Sequence, residues 1–153
     1  MRLMRNLLLA LSLLPLVLQA QSFDWMPGFP VGSDIPLLKA QDQHGQFRGL
    51  DDLRGRKGLV LLFNRSFDWC PYCKGQLVGL TEVANEFTAL GYKIATMTYD
   101  PLETLADLAF EMKIAFPLLH DANVEHVNAF GILNEEYEPG HFAYGVPQPG
   151  IVV

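Results

Sequence analysis

Both cysteines of the chain lie in one short motif, Cys70-Pro71-Tyr72-Cys73. Residues three apart share a face at the first turn of a helix, so the two sulfurs can meet and form a disulfide. Cys70 would lie at or just before the helix start, where unpaired N–H groups and the helix dipole favour a thiolate. We therefore predict that Cys70 is the nucleophile and that Cys73, one turn further in and more buried, is the resolving thiol.

The neighbours of the motif favour redox chemistry over metal binding. Pro71 suits the first helical position because it has no N–H to leave unpaired, and Lys74 adds a positive charge nearby. A Cys-x-x-Cys pair is also half of a zinc site, and His120 and His126 could supply the other half. The gap between the two pairs far exceeds the spacing in zinc fingers, so we expect no metal at this site.

The composition is that of a single globular domain. The chain has 153 residues, 50% of them hydrophobic, and a formal net charge of -6. Lysine and arginine form no cluster, and the acidic residues are spread along the chain as an ordinary solvated surface. This composition excludes a nucleic-acid partner from the expected functions.

Residues 1–20 have the pattern of a secretory signal peptide. Arg2 and Arg5 form the charged start, Leu7 to Leu18 the apolar stretch, and Leu18-Gln19-Ala20 the cleavage end. The apolar stretch is about 12 residues, short of the roughly 20 that span a bilayer, so we expect no stable membrane insertion after its removal. The sequence therefore predicts an exported protein, periplasmic or secreted. In such an oxidising compartment, two thiols that would close a minimal loop are better explained by catalysis than by a structural disulfide.

Turn residues and apolar patterns divide the rest of the chain. Residues 21–36 are rich in proline and glycine and predict an extended lead-in, whereas residues 37–153 predict one domain. Gly58 to Phe63 is a continuous apolar run, typical of a strand buried on both faces, and it delivers the cysteines. Apolar residues then recur at helical spacing from Gln76 to Phe87, and Tyr92 to Thr98 predicts the next strand.

The second half of the chain continues this alternation. Asp100 and Pro101 predict the N-cap and first position of a helix that runs to about Met112, followed by a short strand at Phe116 to Leu119. Alternating strands and helices imply right-handed crossovers, hence an α/β fold with a mainly parallel sheet and helices on both faces. Catalytic groups are expected beyond the carboxyl ends of the strands. Since the chain stops inside a predicted strand, at Val153, we expect the C-terminal part of the domain to be truncated.

Several ordered motifs from about Pro30 to Val153 resemble the thioredoxin-like redoxins, in the branch of the alkyl hydroperoxide reductase and thiol-specific antioxidant proteins. The segments that carry the resemblance are Gly45-Gln46, Leu53-Arg54-Gly55-Arg56-Lys57, Asp68 to Cys73, Tyr99-Asp100-Pro101, Phe116 to Asp121, Phe130-Gly131-Ile132 and Gly145 to Gly150. The resemblance implies a thioredoxin fold. It also implies that Pro149, before the last visible strand, is the family's cis-proline beside the disulfide, with Pro147 as the competing candidate.

The chain departs from the family pattern near the cysteines. Thioredoxins often carry a buried acid in the strand before the motif, and here that strand is wholly apolar. Peroxidases of the peroxiredoxin branch place a Thr or Ser three residues before the peroxide-reacting cysteine, and they bring in an Arg from a distant strand. If Cys73 reacted with peroxide, the residue three before it would be Cys70. If Cys70 did, that residue would be Phe67. Arg65 and Ser66 lie near the motif but out of register.

From these residues we predict an exported thiol-disulfide oxidoreductase that exchanges electrons with a protein disulfide or dithiol partner through Cys70 and Cys73. The reaction requires no cofactor. The residues expected to bind the substrate surround the sulfurs, and they are Trp69, Pro71, Tyr72 and Pro149.

Three alternatives stay open at this point. A peroxiredoxin-like thiol peroxidase would reduce hydroperoxides with the same two cysteines, through a sulfenic acid. A metal-binding thioredoxin-fold module would hold Cu or Zn through its thiolates without redox turnover. An interaction protein with the same fold would keep a fixed disulfide, with a reduction potential below about -300 mV.

Overall fold

The structure, a computed structural model, describes residues 31–153. The predicted signal peptide, residues 1–20, and the predicted lead-in up to residue 30 lie outside the described residues, so both stay predictions. Within residues 31–153, no helix is both long enough and apolar enough to cross a membrane.

One mixed sheet of six strands forms the centre of the described chain. In chain order the strands are β1 (Lys39–Asp42), β2 (Phe47–Gly49), β3 (Gly58–Phe63), β4 (Tyr92–Thr98), β5 (Leu118–His120) and β6 (Gly150–Val152). Their order across the sheet is β2-β1-β5-β4-β3-β6. The β3–β4 and β4–β5 pairs are parallel, and the β1–β2, β1–β5 and β3–β6 pairs are antiparallel. The predicted parallel pairing is therefore found at the centre of the sheet, with antiparallel strands at both edges.

Helices cover both faces of this sheet, as predicted. They are α1 (Leu50–Leu53), α2 (Pro71–Leu90), α3 (Leu102–Met112) and α4 (Glu125–Ala129), the last preceded by a short 3-10 turn at Ala122–Val124. Helix α2 connects β3 to β4 and α3 connects β4 to β5, which are the crossovers that parallel strands require. This is the arrangement expected of a thioredoxin fold.

Strand β3 is buried on both faces because its side chains alternate between two hydrophobic cores. Leu61 and Phe63 face the core that contains residues of α1 and α4, whereas Val60 and Leu62 face the core that contains residues of α2 and α3. Two-sided burial explains why this strand reads as an uninterrupted apolar run. It also fixes the point from which the chain enters the segment with the cysteines.

The predicted bounds of β3 and β4 are confirmed. Helix α2 ends at Leu90, and Gly91 follows it with φ of 95°, the left-handed conformation that glycine favours. Strand β5 begins later than predicted, at Leu118 rather than Phe116. The side chain of Gln43 explains this difference. Its amide donates to the backbone carbonyl of Phe116 at 3.3 Å and accepts from the backbone N–H of Leu118 at 2.9 Å, so it replaces a strand partner there.

The predicted capping role of Asp100 is wrong. Helix α3 begins at Leu102, Pro101 is its N-cap residue, and no side chain caps it. The carboxylate of Asp100 is 1% exposed and accepts hydrogen bonds from Thr98 and from two residues of the loop between β3 and α2. The Asp100 oxygens that the local pattern predicts at the start of α3 therefore bind donors from other parts of the fold.

Candidate active site

The two cysteines lie at the carboxyl end of β3, where α2 begins. Cys70 is the N-cap residue of α2, and Pro71 occupies the first helical position, as predicted. The Sγ of Cys70 accepts a hydrogen bond from the backbone N–H of Cys73 at 3.3 Å. Both cysteines are free thiols, and their Sγ atoms are 2.6 Å apart. The structure therefore brings the two predicted sulfurs together at the positive end of a long helix.

The thiol of Cys73 donates a hydrogen bond to the Sγ of Cys70. Burial, and this bond to Cys70, raise the pKa of the Cys73 thiol. The backbone N–H groups of Ser66 and Arg65 oppose the shift without cancelling it. A raised pKa at Cys73 is what the predicted role of a resolving thiol requires, and the roles of the two cysteines stay a prediction.

A guanidinium group provides positive charge at the two thiols. Burial alone would lower the pKa of Arg65, but attraction to Cys70 and Cys73 and a hydrogen bond with Tyr137 outweigh burial and raise it above its ordinary value. The Nε of Arg65 is buried, with no hydrogen-bond partner among the described residues. Arg65 is thus a permanent positive charge that favours a thiolate at this site.

Sequence reasoning noted Arg65 only as a residue out of register with the family pattern. Its proximity to the sulfurs depends on how the loop between β3 and α2 folds back, which residue spacing does not encode. Tyr137, its partner, carried no signal at all, because it lies in a segment that reads as an ordinary loop between Glu135 and Gly140.

The two aromatic residues of the motif have different surroundings. Trp69 is half-buried, its Nε1 donates to the hydroxyl of Tyr99 at 2.9 Å, and its ring meets that of Phe142 edge-on at 5.2 Å between centroids. Tyr72 is 79% exposed. Trp69 therefore links the cysteine loop to the segment that carries Phe142, whereas Tyr72 projects into solvent and is open to a partner.

Pro149 lies directly before β6, and the next residue, Gly150, pairs with Phe63 at the end of β3. This register puts Pro149 at the edge of the sheet from which the cysteine loop leaves, and its side chain is exposed. The cis-proline implied by the resemblance is not found, because every peptide bond of the described residues is trans. An isolated antiparallel bridge between Leu133 and Pro147 instead leads the chain into β6.

The two histidines of the zinc alternative are engaged elsewhere. The Nδ1 of His126 bonds with the Asp121 carboxylate at 2.8 Å, and its Nε2 accepts from the backbone N–H of Lys39 at 3.2 Å. The Nδ1 of His120 lies 2.8 Å from the backbone oxygen of Asp100. Over residues 31–153, no group of three or more His, Cys, Asp or Glu side chains is placed to hold a metal ion. The structure therefore does not add His120 or His126 to the two cysteines as a zinc site.

Known proteins with similar sequences and structures are redox proteins by name. A model of the AhpC/TSA family matches residues 31–153. The 1-Cys peroxiredoxin PER1 of Hordeum vulgare is 24% identical over 118 residues, which are 72% of this chain and 53% of PER1, so the chain spans about half the length of that relative. Peroxiredoxin Bcp of Escherichia coli is 27% identical over 105 residues, 69% of this chain and 66% of Bcp.

A solved structure supports the fold. The crystal structure of peroxidoxin BcpB from Mycobacterium tuberculosis matches with a TM-score of 0.65 at 24% identity, over 78% of this chain and 73% of that one. At this identity the likeness establishes the arrangement of strands and helices, and the predicted thioredoxin-like α/β fold is confirmed.

The two thiols should differ in their reaction with iodoacetamide. In Cys73→Ser, Cys70 should react at pH 7 at least about tenfold faster than Cys73 reacts in Cys70→Ser, because the thiolate is the reactive form. Since burial raises the pKa of Cys73, its alkylation rate should rise at a higher pH than that of free cysteine measured alongside it. The variant with both cysteines replaced gives the background rate. Equal rates at pH 7, or a faster Cys73, would contradict the assigned roles.

Proposed function

The chain belongs to the AhpC/TSA family, and on this premise we propose that it is a thiol peroxidase, which reduces a hydroperoxide at Cys70 and transfers the oxidation to Cys73 as a disulfide. The names of its peroxiredoxin relatives support this activity. Reduction of the hydroperoxide, which the sequence analysis left as an alternative, is the first half of the proposed cycle. Exchange with a dithiol partner, the predicted main activity, becomes the second half.

The observation that carries the proposal is the burial of the paired sulfurs. Cys70 and Cys73 are each 2% exposed, and their Sγ atoms are 2.6 Å apart. A hydroperoxide needs to bring only one oxygen atom to Cys70. A protein disulfide must bring two bulky chains close enough for a sulfur of the buried pair to attack it. The geometry therefore favours a small oxidant for the first step.

In the first step, the Cys70 thiolate attacks the terminal oxygen of the hydroperoxide ROOH. The S–O bond forms, the O–O bond breaks, and the electron pair leaves with RO⁻, which takes a proton from solvent and becomes the alcohol ROH. Cys70 is oxidised to the sulfenic acid. Before the attack, the N-terminus of α2 and the charge of Arg65 favour the thiolate that this step consumes.

In the second step, Cys73 attacks the sulfur of the sulfenic acid. The S–S bond forms, the S–O bond breaks, and the hydroxide leaves as water with the proton of Cys73. The sulfurs are already neighbours in one turn of α2, so we expect this step to proceed without unwinding of the helix. A dithiol partner then returns two electrons to the disulfide and is itself oxidised to a disulfide.

The protein should consume hydrogen peroxide or cumene hydroperoxide in the presence of dithiothreitol. Cys70→Ser should lose this activity by at least about 10³-fold, because it removes the nucleophile. Cys73→Ser should accumulate a sulfenic acid at Cys70, which dimedone traps and mass spectrometry detects. Peroxide consumption by Cys70→Ser at the wild-type rate would refute the role of Cys70. If the wild-type chain reduced insulin disulfides but left peroxide untouched, the thiol-disulfide oxidoreductase would replace the peroxidase.

Export is a separate proposal that rests on residues 1–20 alone. When the full chain is expressed in a Gram-negative host, we expect the periplasmic fraction to contain a chain that lacks about these residues, as the signal-peptide pattern predicts. The intact mass and fractionation measure this outcome. Replacement of Arg2 and Arg5 by Glu is the matched control and should retain the precursor. An uncleaved wild-type chain confined to the cytoplasm would contradict export.

A further inference from the structure

The loop between β3 and α2 contains a fully buried serine hydroxyl. Ser66 is 0% exposed, and its Oγ accepts hydrogen bonds from the backbone N–H of Asp68 at 3.0 Å and from that of Trp69 at 3.3 Å. These donors lie two and three residues after the serine, which is the pattern of a side chain that caps a helical turn. Ser66 therefore closes the turn over residues 67–69, directly before Cys70.

The proton of this hydroxyl is directed to a buried carboxylate. The Oγ of Ser66 donates to the Oδ1 of Asp100 at 2.7 Å. A hydroxyl has one proton and two lone pairs, so this bond leaves both lone pairs for the backbone N–H groups of the turn. The Oδ2 of Asp100 accepts from the backbone N–H of Phe67 at 2.5 Å and from the hydroxyl of Thr98 at 2.9 Å. Asp100 thus orients the serine hydroxyl and anchors the turn to the end of β4.

The turn ends where α2 begins. Cys70 follows Trp69, and its Sγ caps α2 by accepting from the backbone N–H of Cys73 at 3.3 Å. Two caps therefore follow each other along the chain, an oxygen that closes the turn and a sulfur at the helix start. Lys74 connects them from the surface, because its Nζ donates to the backbone oxygen of Asp68 at 2.8 Å. The path of the turn thus decides whether the sulfur reaches the helix N–H.

From this geometry we propose that Ser66 is a positioning residue for the nucleophile: its hydroxyl, oriented by Asp100, holds Cys70 at the start of α2. The inference rests on the proposed role of Cys70 in attacking the hydroperoxide. Without the hydroxyl, the N–H of the half-buried Trp69 would lose its acceptor, and the turn would open to hydrate it. The sulfur would then leave the cap position and lose the N–H bond that stabilises its thiolate.

Ser66→Ala tests this role in a Cys73→Ser background, where Cys70 is the only thiol. The rate of its alkylation by iodoacetamide is measured from about pH 5 to about pH 10. We expect the midpoint of the rise in rate to move up by about one pH unit, because the thiolate loses a hydrogen-bond donor. At pH values below both midpoints the rate should fall about tenfold, and on the plateau at high pH it should agree within about twofold.

A merely structural role would give a different profile. Cys70 is 2% exposed, so a loss of packing alone would expose the sulfur and raise the rate at every pH without moving the midpoint. Ser33→Ala is the matched control, because it removes the hydroxyl of an exposed serine before β1, and it should leave the profile unchanged. An unchanged midpoint in folded Ser66→Ala would overturn the positioning role.

Asp100→Asn keeps the test decisive if Ser66→Ala fails to fold. Its NH₂ group must face one or more of the donors that the carboxylate now accepts, so the midpoint should again move up. Loss of the negative charge alone would move the midpoint down, and an upward shift therefore reports position rather than charge. Asp107→Asn, at an exposed acid on α3, is the control for the charge change and should leave the midpoint in place. A downward shift in Asp100→Asn would overturn the orienting role of Asp100.

Alkylation requires no peroxide, so this test is separate from that of the proposed function. If the wild-type chain left peroxide untouched but Ser66→Ala still moved the midpoint up, the peroxidase would fail and the role of Ser66 would stand. If the wild-type chain reduced peroxide while Ser66→Ala and Ser33→Ala had the same midpoint, the peroxidase would stand and the role of Ser66 would be overturned.

Discussion

The hydrogen bond from the first turn of α2 to the Sγ of Cys70 is the interaction on which the site depends. A helix begins with backbone N–H groups that have no intrahelical partner, and here one of them is satisfied by a cysteine sulfur instead of a serine or aspartate oxygen. A sulfur that accepts such a bond is stabilised as a thiolate. The rest of the fold holds this helix start in place. Two cores bury β3, and the hydrogen bonds of Asp100 fix the loop that connects β3 to α2.

Local signals in the sequence were sufficient for the elements that deliver the cysteines. Strand β3 is buried on both faces, and its sequence is therefore a continuous apolar run. The bounds of α2 are marked by proline at its first position and glycine just after its last. The two sulfurs could be paired because their spacing is a property of one helical turn. None of these inferences required knowledge of which distant segments pack together.

The residues that spacing could not place are those whose partners are distant in the chain. Asp100 precedes a helix and fits a cap, yet its oxygens bind Ser66 and Phe67, more than thirty residues earlier. Arg65 was noted, but its proximity to both thiols follows from a loop conformation that Asp100 helps to fix. The two carboxylate oxygens of Asp100 cannot bind both the buried donors and the N–H groups at the start of α3. The buried donors take precedence because water can satisfy the exposed helix terminus but cannot reach them. The strand before the cysteines is wholly apolar, and the buried acid that follows β4, Asp100, binds the loop before Cys70.

In the proposed cycle, the two thiols of one helical turn complete a peroxide-driven oxidation between themselves. The most direct test is the intact mass of the reduced wild-type chain after one equivalent of hydrogen peroxide, with peptide mapping of the product. The chain should lose two hydrogen atoms and contain a disulfide between Cys70 and Cys73. A product that gains oxygen without a disulfide, or a pair left reduced while a free cysteine in the same solution is oxidised, would contradict it.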